Sequence, residues 1–162
     1  MSQPQDSLCL YLVQHGEAVA ESVDPNRPLS GPGRETVEQV AAWAARQGVK
    51  VDQIRHSGKL RAEQTAAIFA EKLCPHEGVS VQLGLAPNDD VRSLADAVAG
   101  QSGSVMLVGH LPFLSRLVSF LLVGDCERPL VQFRNGGLVG LARDGDNWAI
   151  SCAIPPALIG RE

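Results

Sequence analysis

Residues 8–14 read Leu-Cys-Leu-Tyr-Leu-Val-Gln, a nearly unbroken apolar run of strand length, the pattern of a central strand covered on both faces. After Gly16 the chain turns polar as far as Leu29. Ser30-Gly31-Pro32-Gly33 then supplies a helix cap in Ser30 and a first-turn proline in Pro32. Val37, Val40, Ala41 and Ala44 recur at three- and four-residue spacing, so this helix runs to about Gln47, with Gly48 as its stop. A short second strand is predicted over 53–57, and a helix over 60–73 with Ala62, Ala66, Phe69, Ala70 and Leu73 on one stripe and Pro75 beyond its end. Residues 79–83 alternate as a third strand, 91–99 form a short helix, 104–108 a compact apolar strand, and 113–123 another helix. Two final strands, 138–142 and 148–153, flank Asp144-Gly145, a hairpin signal.

Strands alternating with helices imply an α/β fold: a mostly parallel central sheet with helices on both faces, and an antiparallel edge from the final hairpin. No repeat, linker or low-complexity tract divides the sequence, so residues 1–162 are read as one domain. The formal charge of −4 argues against nucleic acid as a partner, since that binding needs an extended basic surface. A few clustered arginines can still hold one small anion. Residues 1–7 are polar without a basic start, and the apolar run after them is too short for a leader or membrane helix, so a cytoplasmic protein without a membrane partner is expected. Cys9, Cys74, Cys126 and Cys152 are scattered with no Cys-x-x-Cys pair, the pattern of reduced thiols rather than a disulfide framework or a zinc site.

In open α/β sheets, ligands gather beyond the carboxyl ends of the strands. His15 and His110 both stand at such ends, His15 followed by Gly16, which lets a ligand approach the backbone, and His110 preceded by Gly109. His56 and His76 lack that context and are read as hydrogen-bonded residues without a chemical task. Arg61 lies at the start of the second long helix, where unpaired N–H groups and a guanidinium fork suit phosphate. Arg27, in the polar loop, is a second candidate anion ligand.

Four motifs in order, Gln14-His15-Gly16-Glu17, Arg27-Pro28-Leu29-Ser30, Leu60-Arg61-Ala62-Glu63-Gln64-Thr65 and Gly109-His110-Leu111-Pro112, make the chain resemble the histidine phosphatase superfamily over about residues 8–155. The likeness is to the short phosphohistidine phosphatase branch of the SixA type. The resemblance implies a phosphoglycerate mutase-like α/β/α sandwich without an inserted cap. It implies that His15 accepts the phosphoryl group, that Arg61 and His110 complete the phosphate pocket, and that Gln14, Gly16, Glu17 and Arg27 contact substrate. No metal or cofactor is implied, and inorganic phosphate is the product.

Two departures from the family pattern bear on substrate. The superfamily hallmark is Arg-His-Gly, and here Gln14 brings neither charge nor fork, so phosphate affinity should suffer unless Arg27, Arg34 or Lys59 compensates. Where relatives often read Pro-Glu-Leu, with the glutamate as proton donor, this chain reads Leu83-Gly84-Leu85; Glu17, Asp89 and Asp90 are the available substitutes. A phosphoimidazole needs less acid help than an alkoxide leaving group, so the missing acid favours a phosphohistidine-bearing protein as substrate. A small-molecule phosphomonoesterase and a phosphate- or phosphoprotein-binding module with weakened turnover are the alternatives.

Overall fold

The structure, a computed structural model, describes residues 8–159, and the polar segment 1–7 lies outside them. In chain order the elements are β1 (Cys9–Gln14), α1 (Gly31–Arg46), β2 (Gln53–His56), α2 (Leu60–Leu73), β3 (Val79–Val81), α3 (Val91–Ala99), β4 (Val105–Gly109), α4 (Phe113–Val123), β5 (Leu138–Asp144) and β6 (Asn147–Ile154), followed by a 3-10 turn. The six strands form one sheet in the order β3-β2-β4-β1-β5-β6. β1, β4, β2 and β3 pair in parallel, while β5 runs antiparallel to β1 and β6 antiparallel to β5.

The unbroken apolar run of β1 follows from its place in the middle of this sheet. Leu10 and Leu12 face α3 and α4, together with Leu107 of β4 and Leu141 of β5. Tyr11 and Val13 face the other way, with Met106 and Val108, onto α1 and α2. Strand residues alternate between the faces, so both faces of β1 must be apolar to be covered by helices. This three-layer α/β/α arrangement matches the phosphoglycerate mutase-like fold. Among the described residues, no helix is long and apolar enough to cross a membrane, and no disulfide joins any of the four cysteines.

The helix expectations hold to within a residue at each end, and the Ser30 hydroxyl accepts from Gly33 N–H as the cap of α1. The strands differ more. β3 ends at Val81: Gln82 N–H makes a last bond to the His56 carbonyl, and Leu83 beyond it is 85% exposed. β5 and β6 run longer than their apolar pattern, because paired backbone continues through the polar Arg143 and Asp144 to the turn. The central residues of that turn are Gly145-Asp146, one position past the expected pair. Only Gly145 has a positive φ, +60°, which is the type II′ requirement.

Candidate functional site

The candidate site lies at the carboxyl ends of β1 and β4, which are neighbours in the sheet. His15 N–H donates to the Gly109 carbonyl at 3.0 Å, carrying the ladder one residue beyond β1. Pairing in register places Gln14 opposite Gly109 and so brings both histidines to one edge. The rings of His15 and His110 stand 4.9 Å apart, centroid to centroid, and tilted by 50°.

The orientation of His15 is fixed from two sides. Its Nδ1 lies 2.7 Å from the carbonyl of Gly16, which can only accept, so Nδ1 carries the proton. Nε2 is therefore left with its lone pair, and the Nε–H of Arg61 approaches it at 3.4 Å. Burial holds the His15 pKa below the usual histidine value; the bond to the Gly16 carbonyl opposes this, and Arg61 and Arg27 add to the lowering. His110 is 2% exposed, with Nε2 2.6 Å from Ser57 Oγ and a buried Nδ1 that has no protein partner. Burial, then His15, Arg61, Lys59 and Arg27, push its pKa down to about 3. Near neutral pH both imidazoles are uncharged, facing a cationic rim.

Close backbone packing keeps this edge in place. A Cβ on Gly16 would lie 2.6 Å from Val37 Cγ2, and one on Gly33 would lie 2.1 Å from the carbonyl oxygen of Glu17. The amino end of α1 thus rests directly on the loop after His15, and the Ser30 N–H donates to the same Glu17 carbonyl at 2.9 Å. Thr65, fully buried on α2, accepts from Gly16 N–H at 3.0 Å and donates to the Arg61 carbonyl at 2.7 Å.

Of the residues singled out in the sequence, His15, Gly16, Arg61 and His110 come together, and Arg27 lies near enough to act on the charge of all three side chains among them. Arg27 has a left-handed backbone, φ +47°, and its Nε donates to the Val19 carbonyl at 3.1 Å. Gln14 is nearly buried, and its Nε2 donates to Asn135 Oδ1 at 3.2 Å. Glu17 is exposed, with its carboxylate accepting from Ser30 Oγ at 3.0 Å. Asp89 and Asp90 are occupied elsewhere, accepting backbone N–H groups of Ala86 and Arg92. His56 is buried and accepts from Gly58 N–H, whereas His76 is exposed beside Asp52 and Glu77.

Three neighbours were not anticipated: Thr65, Ser57 and Asn135. Thr65 was readable in principle, since it follows Arg61 by one helical turn and so shares its face. Ser57 and Asn135 gave no such signal, being single polar residues in loops remote in sequence from the groups they touch. Among the described residues, no group of three or more His, Cys, Asp or Glu side chains is arranged to hold a metal ion.

Residues 10–83 match the model of the histidine phosphatase superfamily, branch 1. The chain is 29% identical over 150 residues to the phosphohistidine phosphatase SixA of Escherichia coli K12, covering 88% of this chain and 92% of that protein. Both matches are to histidine phosphatases, and the chain is similar to that superfamily over these residues. The likeness is to the SixA-like branch. The structure of the protein histidine phosphatase SixA complexed with tungstate superposes with a TM-score of 0.81 at 24% identity, covering 93% of this chain and 98% of that one. A phosphoserine phosphatase mutant of Entamoeba histolytica, in complex with phosphoserine, shares the fold with a TM-score of 0.69 at 13% identity, over 92% of this chain and 98% of that one. For this chain the likeness to both structures is a likeness of fold.

Proposed function

We propose that this chain is a metal-independent phosphohistidine phosphatase acting on a phosphoprotein, with His15 Nε2 as the nucleophile. The observation that carries the reading is the tautomer of His15: with Nδ1–H given to the Gly16 carbonyl, Nε2 presents its lone pair beside the Arg61 guanidinium. Nε2 attacks phosphorus in line, the phosphorus–nitrogen bond of the substrate breaks, and the substrate ring, already protonated on its other nitrogen, keeps the electron pair of that bond and leaves as neutral imidazole. Arg61 and Arg27 balance the charge of the phosphoryl oxygens, and His110, uncharged, offers a hydrogen bond to one of them. Water then cleaves the phosphorus–nitrogen bond on His15 and releases inorganic phosphate.

Two further observations support phosphohistidine over a phosphomonoester. Asp89 and Asp90 accept backbone N–H groups and Glu17 accepts from Ser30, so none of these three carboxylates stands free to protonate an alkoxide. The chain also resembles the SixA phosphatase over most of its length. We take residues 1–162 as one cytoplasmic domain without a cap, open to a side chain presented by another protein. The alternatives, a small-molecule phosphomonoesterase or a phosphate-binding module slowed by Gln14, make different predictions in the same experiment. Incubation with a phosphohistidine protein, with an aryl phosphate and with phosphoramidate should give release of phosphate and an acid-labile, base-stable phosphoryl label on His15. His15→Ala should abolish both. A rate unchanged in His15→Ala overturns the reading, and a faster rate on the aryl phosphate favours the phosphomonoesterase.

A further inference from the structure

The side chain of Gln14 is 9% exposed, and its Oε1 is buried without a partner while its Nε2 donates to Asn135 Oδ1 at 3.2 Å. A carbonyl oxygen repels phosphoryl oxygens, and one of the two N–H groups of this amide is already given to Asn135. Gln14 therefore has little of its own to offer an anion. Asn135 is the reverse case: it is exposed, its oxygen is committed to Gln14, and its Nδ2 carries two hydrogens that no described residue takes. The Asn135 amide thus has its acceptor end held by Gln14 and its donor end without a partner among the described residues.

The backbone holds Asn135 beside the nucleophile. Gly136 N–H donates to the Gln14 carbonyl at 2.8 Å and approaches the His15 carbonyl at 3.3 Å. Gly136 adopts φ +75° and stands against Val37 of α1, so the loop before β5 is pinned both to β1 and to the helix that packs on Gly16. A hydrogen bond accepted by one end of an amide polarises it and makes its N–H groups better donors at the other.

We propose that Asn135 is a phosphoryl-contacting residue of this site and that Gln14 is its positioning partner. The pair supplies a neutral, preorganised donor at the end of β1. This rests on the phosphate-handling reading above and adds to it the group that meets the ligand on this side.

The test is titration calorimetry with inorganic phosphate on the full chain, comparing the wild type with Asn135→Ala, Asn135→Asp and Gln14→Met. Removing one donor to a charged oxygen should weaken binding about tenfold in Asn135→Ala. Asn135→Asp keeps the acceptor for Gln14 and loses the donor, so it should lose at least as much, including at raised salt where long-range repulsion is screened. Gln14→Met should give a smaller loss, because Asn135 remains but is no longer oriented. With turnover, the Asn135 variants should raise KM for the phosphoprotein more than they lower kcat. Asn135→Asp binding within about twofold of wild type would show that only the clamp on Gln14 matters, and would overturn the proposal. Normal phosphate binding and His15 labelling with unaffected Asn135 variants defeat this inference alone; no phosphate binding and no label defeat it together with the functional reading.

Discussion

Thr65 Oγ1 accepts the backbone N–H of Gly16 at 3.0 Å across 49 residues of sequence, and donates in turn to the carbonyl of Arg61. One hydroxyl thereby ties the backbone next to the candidate nucleophile to the helix that brings the guanidinium. Thr65→Val keeps the shape and deletes both bonds, leaving the buried Gly16 N–H unsatisfied. It should cost about 1–3 kcal/mol in denaturant unfolding and lower kcat/KM about tenfold through displacement of His15 relative to Arg61. Thr65→Ser should restore most of both.

The contact of α1 with the loop after His15 leaves no room for a methyl group at Gly33, where a Cβ would fall 2.1 Å from the Glu17 carbonyl oxygen. Gly33→Ala should destabilise the fold by about 3 kcal/mol, by forcing backbone apart rather than side chains. Gly31, two residues earlier, has nothing within 4 Å of the same atom. Gly31→Ala should be neutral or slightly stabilising, and thermal melting of the two variants side by side checks the contrast.

Protonation of His15 removes the lone pair on which the proposed attack on phosphorus depends. Burial, aided by Arg61 and Arg27, lowers its pKa from the ordinary 6.5, so the neutral form persists into mildly acid solution. The acid limb of the kcat/KM profile should therefore lie below pH 6.5. Arg27→Met removes one of the opposing charges and should move that limb upward; a limb that stays in place shows that Arg27 does not act on His15.

His110 makes folding itself depend on pH. In the unfolded chain it takes up a proton near 6.5, whereas in the fold it stays neutral down to about 3. Between those values the unfolded state binds more protons, so stability falls as pH is lowered, at up to about 1.4 kcal/mol per unit for this group. His15 and His56, also lowered by burial, act in the same sense. His110→Asn should flatten the decline measured by chemical denaturation between pH 6.5 and pH 4, while leaving part of it to the other two histidines.

Much of this architecture was legible because its strongest signals are local. The apolar run of β1, the Ser30 cap and the stripe on α2 each follow from backbone geometry within a few residues. His15 and His110 were legible as a pair because a parallel sheet brings equivalent strand ends together. Asn135 was not, since nothing within the loop says that it meets Gln14; that depends on β5 folding back antiparallel beside β1. The length of β5 and the centre of its turn were misjudged for a related reason. Ladder bonds continue through polar residues, which hydrophobic alternation cannot register.

The bond from His15 N–H to the Gly109 carbonyl continues the seam between the two central parallel strands one residue past the end of β1. To release that amide to solvent, the carboxyl ends of the two central strands must part. In hydrogen–deuterium exchange His15 should then count among the slowest amides of the chain, exchanging only through global unfolding. On the proposed function, the imidazole of His15 is thus anchored to the sheet, and adjustment to an incoming phosphoprotein would fall to the Arg27 and Asn135 loops.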